Sequence, residues 1–99
     1  MLEHLTIASL SEQLHTKFRL TVVPERAFEL ELVEVEAHGD VAGQTERFSA
    51  IFRGALDTFL QQGIYAMEHE ALGSFELFIV PIRKNDAGFY YEAVFNRLK

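Results

Sequence analysis

Four histidines are the only imidazoles in the chain, and there is no cysteine. His4, His15, His38 and His69 form no HxH, HxxxH or HExxH pair. Zinc takes three or four nitrogen, sulfur or carboxylate ligands, and no local spacing gathers them here. No metal and no cofactor is expected on this reading. With no thiol, disulfides and cysteine nucleophiles are excluded.

Two histidines have neighbours that could do acid–base chemistry. On a strand, His69 shares a face with Tyr65 and Met67, and Glu68 and Glu70 flank it. Carboxylates close to the ring would raise its pKa and suit a general base or a pH-sensitive contact. The plainer reading is a polar residue closing the end of a strand. His38-Gly39-Asp40 places an imidazole beside a carboxylate, with Thr45 and Ser49 as hydroxyls within the same region. Hydrolysis would need a nucleophile held by a third group, and no G-x-S-x-G turn presents one. A solvated loop is the better account, and no catalytic residue is assigned.

Glu29, Glu31, Glu34 and Glu36 form an acidic ladder. Alternate carboxylates on a strand lie about 7 Å apart on one face. They suit either a hard cation such as calcium or cross-strand pairing, and Lys17, Arg19, Arg47 and Arg53 are available for pairing. Arg53-Gly54 and Gln62-Gly63 bracket a connection, where Arg53 is placed to anchor the loop through its guanidinium fork. Arg53, Tyr65, His69, Asn96 and Arg97 are the candidate binding residues.

These groups need strands to position them. Residues 75–95, FELFIVPIRKNDAGFYYEAVF, read as two strands and a tight turn. Phe75, Leu77 and Ile79 alternate with Phe78, Val80 and Ile82, a pattern for a strand covered on both faces. Pro81 donates no ladder bond and belongs at a strand end or an edge. Asn85-Asp86-Ala87-Gly88 carries the turn chemistry. Phe89, Tyr91, Ala93 and Phe95 continue the period of two.

The other strands expected are Lys17 to Val23, Phe28 to Glu36, Glu46 to Arg53 and Gly63 to His69. Pro24-Glu25-Arg26, the loop Ala37 to Thr45 and the turn Glu70 to Ser74 connect them. Ser9 with Glu12 matches a capping box for a helix ending near His15. In FELELVEVE the apolar phase slips after Leu32, which predicts a β-bulge near Leu32-Val33. Ala55 to Gln62 is a connection anchored by Leu56 and Phe59. The expected core is Leu10, Leu14, Phe18, Leu20, Phe28, Leu30, Phe48, Phe52, Tyr65, Leu77, Ile79, Tyr91, Ala93 and Phe95.

At 99 residues, 48% of them hydrophobic, one β domain over 1–99 can bury a core without staples. The formal charge of −6 offers no basic face for nucleic acid or an anionic membrane. No apolar run reaches the ~20 residues of a membrane helix. The N-terminus has neither a basic n-region nor a continuous apolar h-region, so a cytoplasmic location is expected.

FSAIFRG, QQGIYAMEHEALGSFELFIVPI and YYEAVFNR together resemble a family of small uncharacterised bacterial domains, classed as a domain of unknown function. Its pattern runs F-R-G-P, Q-G-x-Y, L-F-x-V-P and Y-E-A-x-F-N. Ala55 stands where that pattern has proline, and Gln61 where proline often precedes Gln-Gly. The resemblance implies no activity. It does imply a loose association with phage-tail-collar-like genes.

The expectation is therefore an all-β, six-stranded antiparallel barrel or sandwich with one short N-terminal helix. Its function is read as a non-enzymatic interaction module with a protein partner, accessory to a phage-tail-like assembly. Homo-oligomerisation is left open. The alternatives are a small-ligand-binding barrel walled by Phe48, Phe52, Tyr65 and Tyr91, and a hydrolase using His69.

Overall fold

A computed structural model describes residues 5–23, 26–38 and 45–98, without the side chains of residues 23, 26, 45, 46, 97 and 98. The expected turn at Pro24-Glu25, together with His4, Gly39 and Asp40, lies outside the described residues.

The elements are α1 (Ile7–Ser11), β1 (Lys17–Val23), β2 (Arg26–Ala37), β3 (Thr45–Gly54), β4 (Gly63–His69), β5 (Gly73–Asn85) and β6 (Gly88–Leu98). The strands close into a barrel in the order β1-β2-β3-β6-β5-β4, every neighbouring pair antiparallel. Closure leaves no full-length edge strand, the usual route to edge-to-edge aggregation.

Alternation decides which side chains enter. Phe18 and Leu20 of β1, Leu30 and Leu32 of β2, and Phe48, Ala50 and Phe52 of β3 are buried inside. Met67 of β4, Phe75, Leu77 and Ile79 of β5, and Tyr91, Ala93 and Phe95 of β6 complete the core. Phe48 and Phe95 stack, with centroids 4.6 Å apart and planes at 7°. Leu5 and Leu10 bring the N-terminal segment into the same cluster.

The bulge expected in β2 is present. Leu32 pairs with Phe52 and Glu34 with Ile51, so Val33 is the extra residue. Its effect is to restore phase: Leu30 and Leu32 before it, and Val35 after it, all pack on the core. Glu29, Glu31, Glu34 and Glu36 all stay on the outer face. An uncompensated slip would have turned half of the glutamates inward.

Several expectations need correction. The helix is capped by Thr6, not Ser9. Thr6 Oγ1 accepts from the Ser9 amide at 3.0 Å, and Ser9 Oγ accepts from the Thr6 amide at 2.8 Å. The reciprocal box is therefore a Thr–Ser one, starting three residues earlier, and α1 ends at Ser11 rather than near His15. Leu14, Phe28 and Tyr65 are only half-buried against the core, while Leu5, Leu32, Ala50, Leu60, Met67 and Phe75 are buried and were not anticipated. The outer face of β5 is not covered, since Phe78 is 50% exposed. Pro81 lies within β5, where β4 has already ended at Gly63↔Ile79 and the β6 register shifts. It thus occupies a local edge beside a bulge, the two places a sheet tolerates proline.

The 55–62 connection is anchored differently from the expectation. Leu56 and Phe59 are 46% and 54% exposed, and Leu60 is the buried anchor. The cause is long-range: the Tyr91 hydroxyl of β6 accepts from the Leu60 amide at 3.0 Å, drawing that residue inward.

Candidate functional site

Three surfaces gather polar or apolar groups in a non-random way. The first is a row around the outside of the barrel. Lys17 pairs with Glu31, Glu31 with Arg53, Arg53 with Tyr90 and Tyr90 with Arg83 across five strands. Glu31 is the hub. Its carboxylate accepts from Arg53 Nη2 at 2.9 Å and meets His15 Nδ1 at 3.3 Å, with Lys17 Nζ at 3.8 Å. Burial pushes the Glu31 carboxyl upward, but His15, Arg53 and Lys17 together outweigh it and hold it below the usual value. Tyr90 is turned the same way: hydrogen bonding from Asn85, at 3.2 Å, leads in lowering its hydroxyl, with Arg53 and Arg83 assisting. The Arg83 guanidinium lies over the Tyr90 ring, 4.3 Å from its centroid.

Within the acidic ladder, Glu31 takes up the cross-strand pairing, with Lys17 and Arg53. Among the described residues no three His, Asp or Glu side chains gather as a metal site. Arg53 is half-buried in the row, and its guanidinium anchors to Glu31 on β2. Beside it, a cleft of about 850 Å³ opens where β2 precedes its pairing with β3. Leu30, Leu60 and Tyr91 line it, with Arg53, Glu29 and Asp57.

Burial holds the Tyr91 hydroxyl above the usual tyrosine value, despite the Leu60 amide donating to it. Replacing Tyr91 with Phe leaves that buried amide without its acceptor. Tyr91→Phe is expected to lose about 1–3 kcal/mol of stability in urea unfolding, and unchanged stability would show that the Leu60 amide finds another partner.

The second surface surrounds His69, at the junction of β4 with the N-terminal turn. Its ring is buried and packs on Phe18, centroids 4.3 Å apart. Thr16 Oγ1 donates to the Gln13 carbonyl at 2.6 Å, so it accepts from His69 Nε2–H at 2.8 Å. Nδ1 accepts from the Ala71 and Leu72 amides at 3.0 and 3.2 Å. The imidazole is therefore neutral, protonated on Nε2, with both nitrogens engaged. Burial lowers its pKa, and the opposing pull of Glu70 is the smaller effect. The upward shift expected from flanking carboxylates is thus reversed in sign, because the ring is inside the wall and the carboxylates are outside it. A ring whose Nδ1 lone pair serves two amides has no free base for a substrate proton, which removes support for the hydrolase reading.

His38 Nε2 meets Ser49 Oγ at 2.5 Å. Ser49 is wholly buried, so its hydroxyl is closed to a substrate. Asp40 lies outside the described residues. Tyr65 donates its hydroxyl to the Gln61 carbonyl at 2.6 Å, a bond that holds the connection's end. Asn96 is exposed at the outer face of β6, and the Arg97 side chain lies outside the described parts. The candidates Arg53, Tyr65, His69 and Asn96 thus sit in separate neighbourhoods. Phe48 and Phe52 are wholly buried, and of the four aromatic wall residues expected for a ligand site only Tyr91 lines the 850 Å³ cleft.

The third surface is apolar. Ile64 of β4 and Phe78 of β5 are direct cross-strand partners on the outer face. They are 68% and 50% exposed, and Val94 on the outer face of β6 is 65% exposed. Val80 joins them, half-buried opposite Glu92, and Glu76 borders the strip on β5. Sequence reasoning had both faces of β5 apolar but treated both as covered. The signal that separates them is that Ile64, Phe78 and Val94 fall out of phase with the inward residues of their own strands.

No helix among the described residues is long and apolar enough to cross a membrane. No curated protein and no solved structure matches the chain. A family described as Domain of unknown function (DUF6916) matches residues 5–95, so almost all of the barrel lies inside the match. The chain belongs to that family.

Proposed function

We propose that this barrel is a non-enzymatic interaction module that binds a protein partner through the outer face of β4, β5 and β6. The observation that carries the reading is the strip of Ile64, Phe78 and Val94, each at least half exposed. Ile64 and Phe78 are cross-strand partners, with Val94 exposed on the same outer wall; exposed apolar groups of this kind cost solubility and mark interaction sites. Glu76 and Glu92 border the strip, and the chain carries a net charge of −6. A second copy would bring like charges together, whereas a partner with an apolar centre and a basic rim would gain from them. The setting we propose is the cytoplasm, as accessory to a phage-tail-like assembly, on the family resemblance.

The test uses a photo-crosslinking amino acid at position 78 in the native host, with position 57, in the exposed 55–62 connection, as the control. The expected result is one dominant adduct from position 78, carrying surface lysines or arginines at the contact. Ile64→Lys with Val94→Lys should reduce its yield at least tenfold. An adduct of equal yield from the control, or one indifferent to the lysines, removes the proposal. A self-adduct replaces the partner with a second copy.

A further inference from the structure

Among the described residues the barrel closes at its shortest seam, β1 against β4, through Arg19↔Glu68, Leu20↔Met67 and Thr21↔Ala66. His69 and Thr16 continue that closure beyond the backbone ladder, through side chains. We propose that the His69–Thr16 contact is an acid-released clasp: the neutral ring ties the Gln13–Thr16 turn to the 70–72 turn, and a second ring proton undoes both ties.

The geometry dictates this. A proton on Nδ1 would point at the Ala71 and Leu72 amides, two donors with nothing left to donate to. The ring must then turn outward, which breaks the Nε2–H bond to Thr16. It also strips the imidazole from the face of Phe18. The turn set free adjoins α1, whose Leu10 is buried in the core and is followed by the half-buried Leu14. Acid would therefore loosen the N-terminal plug and the β1–β4 seam together.

The charges around the ring come from three strands and a turn: Glu68 of β4, Lys17 and Arg19 of β1 and Glu29 of β2 line the same cleft as His69, with Glu70 from the turn that follows β4. Arg19 reaches Glu68 at 3.6 Å and Lys17 reaches Glu31 at 3.8 Å, so these cations are partly neutralised. Glu70 favours the imidazolium, and burial outweighs it. The folded ring thus binds its proton less readily than the unfolded one, whose usual value is 6.5. A group of that sign lends full stability above about pH 6.5 and loses it as pH falls toward the folded value.

The experiment is amide hydrogen exchange and ¹⁵N-imidazole NMR on the full chain between pH 7.5 and 4.5. At pH 7.5 the His69 ring should be the neutral Nε2–H tautomer. As pH falls from about 6.5 toward the folded pKa, protection at Ala71 and Leu72, corrected for intrinsic exchange, should drop by up to about tenfold per pH unit and level off below that pKa. Protection at Ala93, in the centre of the β3–β6 ladder, should hold. His69→Gln keeps an acceptor and a donor without titrating, and its protection at 71 and 72 should not depend on pH. If that variant does not fold, the wild-type tautomer and exchange profile decide alone. An Nδ1–H tautomer, or protection at Ala71 and Leu72 that is flat in pH, overturns the proposal.

Discussion

Gly88→Ala is expected to destabilise the barrel by about 3 kcal/mol or more, a thermal shift of roughly 12 °C or greater. Gly88 has φ +154, outside the region that L side chains adopt comfortably. A Cβ there would stand 2.1 Å from the Gly54 carbonyl oxygen and 3.1 Å from Arg53 Cγ. The carbonyl is backbone, held in the β3–β6 ladder by Gly54↔Phe89, so it cannot swing aside as a side chain would. Gly88 also closes the β5–β6 hairpin opposite Asn85, whose Oδ1 accepts from the Ala87 amide at 2.8 Å. Gly73→Ala is the control. Its φ is +83, but nothing lies within 4 Å of the added carbon, so only the conformational cost of about 1–2 kcal/mol applies. Thermal melts of the two variants compare strain alone with strain plus collision. If Gly88→Ala melts within a few degrees of Gly73→Ala, the close approach of β3 to the hairpin is not what the geometry requires.

Phe18→Ala is expected to lose about 3–5 kcal/mol, a large share of a small domain's total. Phe18 is wholly buried on β1. It meets Phe52 edge-on at 5.2 Å, Phe75 at 6.2 Å and the His69 imidazole at 4.3 Å. Truncation removes contacts with β3, β4 and β5 at once and leaves a cavity that rigid strands cannot collapse. Phe18→Leu refills most of the volume and should cost under about 1.5 kcal/mol. Urea unfolding followed by circular dichroism measures both. A loss below about 1 kcal/mol for Phe18→Ala would mean the barrel interior repacks freely, against the ring contacts seen around this residue.

Much of the barrel was legible before any coordinates. Lys17 to Val23 and Gly63 to His69 are strands with the bounds the alternation implies. The slip at Leu32-Val33 was readable as a bulge because four glutamates had to stay wet while the leucines and valines changed phase. The Asn-Asp-Ala-Gly run was readable as a hairpin because its backbone preferences are local. Thr6 was overlooked as a cap because Ser9 with Glu12 fits the familiar box equally well on paper, and only the observed reciprocal bonds separate them. The site was less legible. His69 stood out by its neighbours in the chain, yet its chemistry is set by Thr16, 53 residues away.

Sequence alone therefore determined where strands form, the bulge in β2 and the turn between Asn85 and Gly88, because each rests on preferences spanning a few residues. Tertiary structure alone decided that the sheet closes, that Leu60 rather than Phe59 is drawn inside, and that Glu31 collects Lys17 and Arg53. It also decided that Ile64, Phe78 and Val94 remain open to solvent. Those outcomes depend on which strands lie side by side. That choice reflects the free energy of the whole closed wall, which no short window of residues contains.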